Sequence, residues 1–169
     1  MDNIEVAGAI TVVVIILFIL LIAIASRKKV NKFPYILNEA LFTPAEAAFH
    51  KVLEQAVGSQ CHIFGKVRVA DIVRVQSMKD RGNWQRAFNR ISSKHFDFIL
   101  CVPKDNSILC ALELDDKSHS MKRRIERDEF LEGVCEAVNL PLVRIPVQRS
   151  YNPDKIREQV IDAVRHNQA

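Results

Sequence analysis

The sequence predicts an α/β domain with helices packed on a mixed sheet, preceded by one N-terminal transmembrane helix. Three observations carry this. Residues 6–26 (VAGAITVVVIILFILLIAIAS) hold no charge. Helical and strand-like hydrophobic periods alternate along the rest of the chain. Two short runs, FILCV (98–102) and ILCAL (108–112), are apolar throughout, as strands covered on both faces are.

At ~1.5 Å rise per residue, the stretch 6–26 is long enough to cross a hydrocarbon core of about 30 Å. A cleaved leader needs a positive start and a short apolar run. Here the tail 1–5 contains Asp2 and Glu5 and no Lys or Arg, and the run is too long. Arg27, Lys28, Lys29 and Lys32 follow it directly, so the positive-inside rule puts the C-terminal part in the cytoplasm. Residues 27–42 read as a basic juxtamembrane linker and 43–169 as the cytoplasmic domain. All 24 Lys and Arg lie beyond the apolar stretch. That balance suits nucleic acid or an anionic lipid surface, although a plain solvated surface gives the same composition.

Within the domain, Thr43-Pro44-Ala45-Glu46 has the form of a capped helix start. Ala45, Ala48, Phe49, Val52, Leu53 and Ala56 then recur at helical spacing, predicting a helix over 44–57 closed by Gly58. Residues 61–69 (CHIFGKVRV) alternate as a first strand. Trp84, Ala87, Phe88 and Ile91 predict a helix within 76–93 whose other face is basic. The two apolar strands come next. A helix over 120–138 turns Ile125, Leu131, Val134, Cys135 and Val138 inward, a buried strand covers 140–146, and a closing helix covers 153–166. Cys61, Cys101, Cys110 and Cys135 show no CxxC and no zinc-like spacing, which leaves buried thiols. The five glycines form no phosphate-cradling loop.

The strand pair carries unusual charge. With 103–107 (PKDNS) as the turn and Val102 opposite Ile108, Asp97 falls opposite Glu113 and His95 opposite Asp115. Directly opposed residues share a face, as do Glu113 and Asp115 two apart on one strand. Three carboxylates then meet at one sheet end. A divalent cation, nearby Lys or Arg, or simple solvation could each make this tolerable.

Asp97, then Glu113-Leu114-Asp115 after a strand and a turn, in a helix–strand–strand–strand–helix–strand order, resembles the restriction-endonuclease-like superfamily. Its signature is an Asp on one strand and (Asp/Glu)-x-Lys on the next. The E-x-D pattern, a downstream His and an Arg/Asp-bearing helix are similar to the very-short-patch-repair endonucleases. TPAEAAFHKVL, RISSKHFDFILC, ALELDDKSH, RDEFL and LPLVRIP together look like a bacterial domain of unknown function, number 2726, over roughly residues 35–146.

The resemblance implies a mixed sheet flanked by helices and Mg²⁺-dependent phosphodiester hydrolysis in a bacterial protein, which the apolar stretch 6–26 and the basic residues after it would anchor at the inner membrane. Asp97 and Glu113 match its metal-binding acids. Asp115 stands where most members have the catalytic Lys, and becomes a further ligand or base. Lys117, two residues on, could supply the positive charge instead. His119 matches the downstream His and could move a proton, and Glu46 is the first-helix acid that reaches the site. The alternative is a degenerate module of the same fold that binds nucleic acid or a partner protein.

For nucleic acid, the residues named are Arg81, Arg86, Arg90 and Lys94, with Trp84 either stacking on a base or burying against the sheet. Arg124 and Arg127 sit in the first turns of their helix, where positive charge opposes the macrodipole and invites a phosphate. Asp128, near the apolar face, is expected to pair inward with Arg144 or Arg124.

Overall fold

The computed structural model describes residues 3–25, 33–115 and 121–166; within the first and fifth helices, the side chains described are those of Gly8, residues 11–22 and Asp128 onward. The chain forms two units, Met1–Glu39 and Ala40–Ala169.

In the first unit, α1 (Asn3–Ala25) runs 23 residues and is apolar on every side. Among the described residues no helix is long and apolar enough to cross a membrane.

The second unit begins with α2 (Pro44–Val57), capped as expected: Thr43 Oγ1 accepts from the Glu46 amide and Glu46 Oε2 from the Thr43 amide. Gly58 ends it at φ 53° and starts a 3-10 turn, Gly58–Gln60. Then come β1 (His62–Arg68), α3 (Val69–Ile72), α4 (Arg81–Ser92), β2 (His95–Cys101), β3 (Ile108–Asp115), α5 (Met121–Ala137), β4 (Leu142–Pro146) and α6 (Pro153–His166). Two boundaries differ from expectation. The first strand stops at Arg68, because Val69 buries itself in a helical turn. α4 starts at Arg81 because Asp80 caps it, accepting from the Gly82 and Asn83 amides at 2.7 and 3.3 Å.

The sheet order is β1-β2-β3-β4, antiparallel through the first three strands and parallel between β3 and β4. The parallel pair is made possible by the α5 crossover. Both faces are covered. Phe49, Leu53, Phe98, Leu100, Cys110, Leu112, Val143, Ile145, Ile156 and Val160 form one core, beneath α2 and α6. Val69, Ile91, Phe96, Ile99, Ala111, Leu131 and Cys135 form the other, beneath α3, α4 and α5. The expected inward residue Val138 lies past the end of α5 and is exposed. The four cysteines are free, and Cys101, Cys110 and Cys135 are buried. Burial pushes the Cys110 thiol up to about 12.

One irregularity shapes the site end of the sheet. Lys66 takes a left-handed backbone, φ 56°. Ile63 packs with the first core and Val67 with the second, although they are four residues apart on one strand. The same happens opposite, where Phe96 and Phe98 belong to different cores. A regular strand puts residues two or four apart on one face. The pleat therefore turns over at Lys66 and Asp97, the step between the pairs Gly65–Phe98 and Val67–Phe96.

Candidate functional site

Where the pleat turns over, three charged side chains from three elements meet. The Lys66 ammonium donates to Glu46 Oε1 on α2 and lies 3.6 Å from Asp97 Oδ1 on β2. Asp97 Oδ2 accepts the Leu114 amide of β3 at 2.9 Å. Glu46 thus has two tasks: one oxygen closes the helix cap and the other holds the lysine. Burial alone would raise its carboxyl. The Lys66 and Thr43 hydrogen bonds and the lysine charge outweigh burial and hold it below its ordinary value. Glu46, Lys66, Lys94, His95, Asp97 and Leu114 line a cleft of ≈ 770 Å³.

The lowered Glu46 value has a testable sign. The stabilisation it reports is complete above the ordinary carboxyl value of 4.5 and fades as pH falls through the lower folded one. Glu46→Gln removes the charge and keeps the shape. On acidification from about pH 6 to about pH 3, the wild-type melting temperature is expected to fall further than the variant's, by the equivalent of about 1 kcal/mol. Parallel melting curves would show that the pair contributes nothing.

A second charged group lies on the α5 side of β3 and β4. Arg144 is in register with Glu113 on the neighbouring parallel strand. Its Nη1 is 3.2 Å from Asp115 Oδ1 and 3.3 Å from Asp128 Oδ1, and its Nη2 donates to the Asp128 carbonyl at 3.1 Å. Its Nε comes to 2.8 Å from Glu132 Oε1, without the alignment of a hydrogen bond. Burial works against the guanidinium charge, but Asp128, Asp115 and Glu132 overcome it and raise its affinity for its proton. Glu113 is almost fully buried, 3% exposed. Burial first, then the Glu113 charge, pushes the nearby Cys135 thiol up to about 11.

The expected strand register is present where Phe98, Ile99 and Leu100 face Leu112, Ala111 and Cys110. It slips at the turn, where Cys101, not Val102, pairs with Ile108. One step beyond Phe98–Leu112, the pleat reversal draws Asp97 toward β1 and α2. Glu113 continues the alternation of β3 from Ala111 onto the α5 face. Glu46 and Asp97 therefore gather at Lys66, and Asp115, Asp128 and Glu132 at Arg144, so neutralisation by protein charge is the observed answer to crowding for these acids. Among the described residues no group of three or more His, Cys, Asp or Glu is arranged to hold a metal ion. Asp128 pairs inward with Arg144 as expected. Lys117 and His119 lie outside the described residues, as do the side chains of Arg124 and Arg127.

Arg81, Arg86 and Arg90 are exposed on α4, and the half-buried Lys94 reaches the cleft. Trp84 stacks on Phe88, with centroids 5.3 Å apart and planes 6° from parallel. Both rings are half-buried, between the two roles expected of them. Arg90 and Lys94 flank the Phe130 ring at 4.3 and 4.7 Å, cation–π contacts that hold this basic edge against α5. Lys66 was not among the residues singled out from sequence. Its only signal is the glycine beside it, since Gly within a strand marks a bulge or a close backbone approach.

The fold and cleft define an α/β domain with a four-stranded mixed sheet between helices and a charged recess at one sheet end. The chain belongs to the family described as Protein of unknown function (DUF2726), whose model matches residues 38–164. Neither a curated protein nor a solved structure matches it.

Proposed function

We propose that the domain is a restriction-endonuclease-like, metal-dependent nuclease, similar to the very-short-patch-repair enzymes. In this reading a single N-terminal span, residues 6–26, anchors it at the cytoplasmic face of a bacterial inner membrane. The observation that best supports the site is Asp97. Its carboxylate is tied to the adjacent strand through the Leu114 amide, beside an ammonium, in a cleft of ≈ 770 Å³. Mg²⁺ commonly uses one or two carboxylates together with its own waters and substrate phosphate oxygens. A site without a third described acid is compatible with it.

Asp97 is the proposed metal-holding acid of the cleft. Glu113, on the α5 face of β3, and Asp115, engaged there by Arg144, would have to turn toward it to serve as second metal-holding acid and as further ligand or base. Bound Mg²⁺ would supply a more acidic water and neutralise charge on the scissile phosphate. In the hydrolysis, a water oxygen bonds to phosphorus, one ester P–O bond breaks, and the leaving oxygen takes a proton. His119 and Lys117 are the proposed groups for proton transfer and charge stabilisation. Arg81, Arg86, Arg90, Lys94, Arg124 and Arg127 are proposed to hold the nucleic acid by its phosphates.

A second reading is favoured by the ion pairs: Lys66 already pairs with Glu46 and Asp97, and Arg144 with Asp115, Asp128 and Glu132. It is a catalytically degenerate module that binds nucleic acid or a partner protein at the membrane face. The two readings separate on the full chain in detergent. The nuclease predicts that Mg²⁺ or Mn²⁺ raises the melting temperature of the wild type but not of Asp97→Asn. It also predicts metal-dependent cleavage that Glu113→Gln abolishes with the fold intact. Salt-sensitive, metal-independent binding that survives both substitutions selects the binding module.

A further inference from the structure

Among the described residues of the cleft, Lys66 is the one with a left-handed backbone. A left-handed backbone costs a residue with a side chain about 1–2 kcal/mol, and glycine is the residue that avoids this cost. The sequence does place a glycine here, but one position early. Gly65 serves a different need, since a Cβ there would lie 2.3 Å from Cζ of Phe42. The strained position itself keeps a lysine. Strained conformations of this kind concentrate where a side chain is wanted in a fixed place.

That place is in the cleft. The Lys66 side chain is 30% exposed, and its ammonium is held by Glu46 from the helix side and Asp97 from the strand side. The next strand supplies no cation to this spot from its described residues, because Asp115 is a carboxylate and is engaged by Arg144 on the α5 side. We propose that Lys66 is a catalytic residue of the cleft, whose ammonium donates to a non-bridging oxygen of the substrate phosphate, with Glu46 as its positioning residue. This rests on the nuclease reading for the reaction, but not for the phosphate contact.

The geometry makes the role consistent in charge. Two carboxylates hold one ammonium in the resting cleft. Were Asp97 to hold a divalent ion, Lys66 would keep Glu46 and could turn its remaining hydrogens to the phosphate. An ammonium needs no proton transfer for this task. Its charge offsets the negative charge that builds on the non-bridging oxygens as the P–O bond breaks.

The test uses the full chain in detergent with a duplex oligonucleotide, comparing wild type, Lys66→Ala and Lys66→Arg. Binding is measured against salt with Ca²⁺ present, and single-turnover cleavage with Mg²⁺. Loss of one phosphate contact lowers the slope of log K against log salt by about 0.9. Lys66→Ala is expected to show this loss, with cleavage slowed about 10²–10³-fold. Lys66→Arg is expected to restore the slope. If Lys66→Ala does not fold, Lys66→Gln replaces it, its melting curve serving as the control. A wild-type slope in the neutral variant overturns the proposal, even if cleavage is lost, since the lysine would then be structural only. Cleavage within threefold of wild type overturns the catalytic role. A wild type that binds with the expected slope difference but never cleaves ends the nuclease reading and leaves the phosphate contact standing.

Discussion

Phe98→Ala is expected to destabilise the domain by about 3–5 kcal/mol, the usual range for removing a buried aromatic ring. Phe98 has no exposed surface. Its ring centroid lies 5.4 Å from that of Phe42, 5.7 Å from Phe49 and 5.8 Å from His50. It is the contact through which β2 holds α2. The cavity left behind would loosen the helix that carries Glu46, so the loss should reach the cleft. Urea unfolding of the isolated variant should show a lower midpoint with an unchanged m-value. A shift worth less than about 1 kcal/mol would mean that the Phe42 ring collapses into the space.

Arg144→Ala is expected to cost about 2–4 kcal/mol at neutral pH. Breaking a buried ion pair by removing one partner costs about 3–5 kcal/mol, and exposure of Glu132 trims that figure. The variant removes the cation that Asp115, Asp128 and Glu132 share. Urea midpoints for both proteins at neutral pH check this. A penalty that Arg144→Met, which keeps an apolar stem, removes would show that lost packing of the arginine stem dominates.

The parts of this fold that depend on local rules were legible in the sequence. The Thr43–Glu46 cap, the glycine stop at 58, the two-sided burial of β2 and β3 and most of their register follow from spacing and residue type alone. The Asp128–Arg144 pair was legible because an acid near an apolar helix face must find a cation. The division of the acids was not. Strand alternation knows one period, and it puts Asp97 with Glu113. What breaks the period is non-local: Phe42, from the segment before α2, lies against Gly65, and the next residue turns over. The lysine that results reads as an ordinary polar residue of an alternating strand. The start of α4 was also obscure, because an Asp cap competes with several polar residues upstream.

The left-handed turn at Lys66 also bears on how the protein behaves in a crowd. Among the described residues β1 has one strand neighbour in the sheet, so its outer row of amides and carbonyls is an edge another copy could extend. A flat apolar edge invites such stacking into aggregates, whereas a distorted edge discourages it. An incoming strand would meet a break in the regular backbone after Gly65. The backbone distortion that seats the ammonium in the cleft therefore also keeps neighbouring molecules from zipping together along this edge.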